Sequence, residues 1–179
     1  MRNRHPIYVT CTPTLVDAIR AGRALFLAAV LAIPIGVITG TLAGLLFFGV
    51  GALYGAIIGV PIGFLAAVFG SAIGKRSEWM WSGILFGAIG GVLAMRIMGS
   101  LEPFIVFAVL IPGIAGGIAG WNIGDRLENQ HVAPSGLIGA IDRLLYVSPL
   151  YSFPLPTRLA IAVLEAAPVA GIILALVNR

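Results

Sequence analysis

The sequence predicts an all-α integral membrane protein of about five transmembrane helices that pack through glycines at intervals of four, and three observations predict it. First, 59% of the residues are hydrophobic and only 10% are charged, against about 25% charged in an average globular domain. Second, the run from Ala24 to Gly74 carries no charge, and its polar side chains are Thr39, Thr41, Tyr54 and Ser71. As one helix that run would be about 76 Å long, against a hydrocarbon core of roughly 30 Å, so it crosses twice. Third, Ala24 to Gly124 holds 20 glycines, which form 11 pairs at spacing four and three at spacing three. Random placement would give about four of either.

Residues 1–23 form a basic surface segment, with Arg2, Arg4, Arg20 and Arg23 against Asp17. A cleavable signal does not fit, because no short apolar region ends at a small-residue cleavage site before polar sequence. Thr14 followed by Asp17 is a capping box, and Thr12 before Pro13 is an alternative start. A short surface helix should lead into the first span.

Residues 24–124 should form a four-helix glycine-zipper unit. Its first span, Ala24 to about Phe48, carries Gly36, Gly40 and Gly44. A tight turn near Gly49 and Gly51 leads to the second, about Ala52 to Gly74, with Gly55, Gly59 and Gly63 inside it and Lys75 and Arg76 closing it. Gly51 continues the same series of four backwards into the turn. The third span, about Trp79 to Met98, opens on the interface-type Trp79 and Trp81 and carries Gly83, Gly87 and Gly91. Ser100, Glu102 and Pro103 break it, and the fourth span, about Phe104 to Ile123, holds Gly116 and Gly120, with Gly124 at its end.

Residues 125–157 begin as an aqueous loop through Arg126, Glu128, Asn129, Gln130 and His131. From Gly136 to Ser148, Leu137, Ile141, Leu144 and Leu145 recur at helical spacing while Asp142 and Arg143 point elsewhere, which predicts an amphipathic helix in the membrane interface. Ser135 could cap it and Pro149 end it. Tyr151 to Pro156 is too proline-rich for a span and should be an extended connection. Residues 158–179 supply the fifth span, where Gly171 stands alone.

Charge supplies an orientation. Arg2, Arg4, Arg20, Arg23, Lys75, Arg76, Arg126, Arg143 and Arg158 fall on one side of a five-span topology and Arg179 on the other. The N-terminus is therefore expected in the cytoplasm, or in a matrix or stroma, with the C-terminus opposite, in a bacterial or organelle inner membrane. Because these residues sit between apolar spans rather than on one face, the net charge of +4 does not mark a nucleic-acid partner. Cys11 is the single cysteine, so no internal disulfide forms.

Small residues at i and i+4 let helices come close where lipid offers no hydrophobic push between them. The spaced glycines thus predict packing within the bundle, a groove for a partner subunit, or both. Pro34, Pro61, Pro112 and Pro168 lie inside spans and should kink them. Such kinks can serve as a hinge or a carbonyl-lined ion site, or be repaired by neighbouring groups. Arg96 and Glu165 are the candidate intramembrane ionisable residues, although both lie close enough to a span end to reach the interface. Glu102 is the expected partner of Arg96. His5 and His131 are isolated, and no metal, cofactor-binding or catalytic motif is present, so no cofactor and no catalytic set is expected.

In architecture, the short glycine-spaced helices over Ala24 to Gly124 resemble the protein-import translocase family, which has four such spans. The resemblance implies four closely packed helices and nothing about individual residues: the family's arginine and aspartate pattern after the second glycine-rich segment is not found here, and the fifth span is extra. The expected function is a non-enzymatic structural or assembly subunit of a larger membrane complex, with lipids and other subunits or further copies of the chain as partners. The alternative is a homo-oligomeric channel or small transporter with a path along the kinked helices around Pro61 and Pro112.

Overall fold

Thr14 starts the first helix as its sequence context predicts. Its hydroxyl accepts from the Asp17 N–H at 3.3 Å, while its own N–H donates to Asp17 Oδ2 at 3.0 Å, a reciprocal cap. The structure, a computed structural model, describes residues 14–46, 50–74, 76–99, 105–128 and 135–177. The alternative start at Thr12, together with Cys11, His5, His131, Lys75, Glu102 and the turn at Gly49, lies outside the described residues.

Helix α1 spans Leu15–Leu45, α2 Val50–Ile73, α3 Arg76–Met98, α4 Ile105–Glu128, α5 Gly136–Val147 and α6 Leu155–Val177, with a 3-10 turn at Pro149–Ser152. Five of these, α1 to α4 and α6, are long and apolar enough to cross a membrane. The chain is a multi-span, all-α membrane protein. α1 pairs along its length with α2, and α3 with α4; α2 and α3 join the two hairpins, and α6 lies mainly against α2.

Several boundaries differ from the sequence expectation, each for a local reason. The predicted surface helix is not a separate element: α1 runs unbroken past Arg23, because Ala21, Gly22, Ala24 and Leu25 form one buried face with no breaker between them. α4 continues to Glu128 instead of yielding to a loop after Ile123, since Arg76 reaches across from α3 to Asp125 and its N–H donates to Glu128 Oε2 at 3.3 Å. Tyr151 to Pro156 is not an extended connection either. Ser148 caps the 3-10 turn through its hydroxyl, and α6 then begins at Leu155 with Pro156 in its first turn, where a missing N–H costs nothing.

The densest core lies at one end of the bundle, the Gly74 end, where α2 ends and α3 begins. Leu25 of α1, Val68 of α2, Ile141 of α5 and Leu150 of the 3-10 turn are fully buried there. α5 therefore differs from a helix resting on lipid. Ile141 and Leu145 enter the protein core beside α1, Leu144 is half-buried, and Leu137 remains exposed. Elsewhere the helices turn Ile38, Leu42, Leu53, Leu85 and Ile114 outward, as spans surrounded by lipid do.

A polar bond joins the hairpins inside the bundle: the Ser82 hydroxyl donates to the Ala66 carbonyl at 2.7 Å. Removing it with Ser82→Ala should cost about 1 kcal/mol, the usual worth of an interhelical hydrogen bond in a membrane protein. Thermal unfolding in detergent should then show a midpoint lowered by about 2–4 °C.

Candidate functional site

The glycine rows set how closely the helices of each hairpin approach. A β-carbon added at Gly36 would stand 2.5 Å from the Gly59 carbonyl oxygen, and one at Gly63 would stand 2.7 Å from the Gly36 Cα. At Gly40 it would meet the Gly55 carbonyl, and at Gly44 the Gly51 carbonyl. In the second hairpin Gly83 and Gly116 each face the other's carbonyl. Gly87 faces that of Pro112, Gly91 that of Ala108, and Gly120 that of Trp79. At these positions backbone lies on backbone, and no L side chain fits without moving a helix. Gly124 extends the row, 2.7 Å from the Arg76 Cα by the same construction. Spacing in the sequence marks the glycine faces; the carbonyls of Ala108, Pro112 and Trp79 that oppose them carry no sequence signal.

Between the two hairpins lies a cleft of about 130 Å³ bounded by all four helices. Thr39 and Gly40 line it from α1, Gly59 from α2, Met95 from α3, and Pro112 and Ala119 from α4. The Thr39 hydroxyl is tied back to the Ile35 carbonyl at 2.8 Å, so it offers the cleft little. Pro112 stands in the wall, but Pro61 does not line it.

Arg96 and Glu165 are separate from this cleft and from each other. Arg96 is exposed in the last turn of α3, and its expected partner Glu102 is outside the described residues. Glu165, half-buried on α6, places Oε1 3.1 Å from where a β-carbon of Gly22 would stand. Its carboxyl thus lies against α1 one residue before the exposed Arg23, near the charged end of that helix.

The Gly74 end also holds polar contacts that composition does not disclose. Arg76 pairs with Asp125 at 2.8 Å and stacks on the Trp121 ring with its guanidinium 3.5 Å from the centroid. Arg158 donates through Nη1 to the Ala72 and Ile73 carbonyls at 3.0 and 3.3 Å, and the Tyr151 hydroxyl donates to the Ser71 carbonyl at 3.0 Å. These are last-turn carbonyls of α2, which lack helical partners. Arg158, expected from charge counting as a topology marker, is here a helix cap supplied by another span.

Chemically, the cleft can hold an apolar molecule and position it; its lining contributes no ionisable side chain. Among the described residues no cluster of His, Cys, Asp and Glu is arranged to hold a metal. Comparison with protein-family models, with curated proteins and with solved structures finds no match, so the translocase resemblance rests on helix architecture alone.

Proposed function

We propose that the protein is a non-enzymatic structural or assembly subunit of a larger membrane-embedded complex, of the secretion, respiratory or photosynthetic kind. In this reading α1 to α4 form a glycine zipper, and α6 faces a partner subunit or another copy of the chain. The observation that carries it is the contrast between the two parts. The hairpins close on each other backbone to backbone, whereas Gly171 of α6 has nothing within 4 Å of an added β-carbon. Arg20, Arg23, Arg126 and Arg143 are all exposed. That pattern supports an N-terminus in the cytoplasm or matrix of a bacterial or organelle inner membrane, with the C-terminus opposite.

Gentle detergent extraction from native membranes followed by native mass measurement tests the proposal. The expected result is recovery together with at least one different subunit. Recovery as a bare monomer would overturn it. A ring of identical copies, giving ion or solute flux in liposomes that changes with Arg96→Ala or Glu165→Gln, would favour the channel alternative instead.

A further inference from the structure

The chain joins the two hairpins at one end only. α2 ends at Ile73 and α3 begins at Arg76, so the crossing between them lies at the Gly74 end, where Gly74 turns the chain with a φ of +80°. The connections of α1 to α2 and of α3 to α4 lie at the opposite end, each within its own hairpin. Nothing covalent holds one hairpin to the other there.

Each hairpin is internally stiff, because backbone meets backbone along its glycine row and no change of rotamer gives slack. Between the hairpins the contacts are made by side chains, and the packing of helix on helix is much sparser. The Trp79 ring lies over Gly70, Ser82 bonds to Ala66, Phe69 stacks on Phe86 with centroids 5.4 Å apart, and Ile58 and Ile62 reach Gly90. The buried core of Leu25, Val68, Ile141 and Leu150 adds to these ties at the Gly74 end. Along α3 past Gly90, among the described residues, no hydrogen bond, ion pair or ring contact joins the hairpins. Gly51 and Gly55 of α2 and Ala94 and Met98 of α3 border the cleft there instead. Side chains this small do not interlock, so parting them gives up few dispersion contacts. Two stiff bodies tied at one end and smooth at the other make a hinge.

We propose that the hairpins are the arms of a hinge, with its pivot at the Gly74 end, and that the opposite end opens and closes. Opening widens the cleft from the Met98 end while the core around Leu25 keeps the Trp79 end shut, so the space between the arms is offered to one end of the bundle only. The proposal is independent of the assembly reading, because it concerns motion between the hairpins of one chain and not the outer surface.

Pairs of spin labels on α1 and α3, one pair at each end, provide the test. In the full-length protein with Cys11→Ser, one sample carries labels at Leu45→Cys and Ile97→Cys, at the opening end. Another carries them at Arg20→Cys and Ser77→Cys, at the pivot; all four positions are exposed. Hinge motions on the microsecond-to-millisecond scale freeze into a spread of distances, so in phosphatidylcholine nanodiscs dipolar spectroscopy should give a Leu45–Ile97 distribution roughly twice as wide as that of Arg20–Ser77. Wedging the cleft with Ala94→Leu, or separately with Thr39→Leu, should lengthen the mean Leu45–Ile97 distance by about 2 Å and narrow its spread, with Arg20–Ser77 unchanged. Equal widths at both ends, or a wider distribution for Arg20–Ser77, would overturn the proposal. So would wedges that lengthen both distances alike. If both wedged variants misfold, the comparison of widths in the unwedged protein still decides.

Discussion

Gly55→Leu is expected to break the α1–α2 hairpin, while Gly171→Leu leaves the protein folded. A β-carbon at Gly55 would collide with the Gly40 carbonyl and stand 3.4 Å from the Gly44 Cα, so the obstacle is backbone, which cannot change rotamer. The two helices would have to separate along their whole contact, losing close dispersion contacts that lipid replaces only poorly. Overpacking a well-packed core costs about 1–3 kcal/mol even where side chains can adjust, and here about 3 kcal/mol is a minimum. In a chain of this size that corresponds to an unfolding midpoint lower by at least about 6–12 °C. At Gly171 an added β-carbon meets nothing within 4 Å, and a change within about 0.5 kcal/mol is expected. Near-UV circular dichroism of the two variants during heating in detergent makes the comparison. Equal tolerance at both positions would show that close approach of α1 and α2 is not what holds the hairpin.

Length and hydropathy made the spans legible, and glycine spacing made legible which faces of α1 to α4 carry the small residues. What they could not convey is what each face meets. Gly87 and Gly91 mark a face that another backbone can approach, but the carbonyls they oppose belong to Pro112 and Ala108, and any residue type could supply those. Ile141 and Leu145 announce an amphipathic helix, but periodicity is the same whether lipid or Leu25 covers that face. Asp125 to Glu128 look like a loop because their stabilising partner, Arg76, belongs to another helix. Glu165 counts as intramembrane by its distance from Arg158 along α6, while its carboxyl lies beside Gly22 and the charged end of α1. The cleft was invisible for the same reason: a small residue facing a void and a small residue facing a neighbouring backbone have one spelling.

Arg158→Met should loosen α6 from the bundle without disturbing the α3–α4 hairpin. The guanidinium caps α2 by donating to two of its last-turn carbonyls, where the helix dipole also favours positive charge. Hydrogen bonds from charged donors contribute about 1.5–3 kcal/mol net, and methionine keeps most of the apolar stem while removing the donors. The remaining attachment of α6 is the face that buries Ala162 and Ala166, with Ile161, Val169 and Ile173 packed against the same core and Glu165 beside Gly22. A loss of about 2 kcal/mol should raise amide exchange in the first half of α6 and the last turn of α2 by roughly 30-fold, at 1.4 kcal/mol per decade. Exchange in the interior of α3 and α4 should be unchanged. Tyr151→Phe keeps the ring and removes the bond to Ser71, and should give a smaller effect in the same segments, about 1 kcal/mol. If exchange in α6 does not respond to Arg158→Met, the apolar face of α6 holds the fifth span without the cap, which then serves only the end of α2.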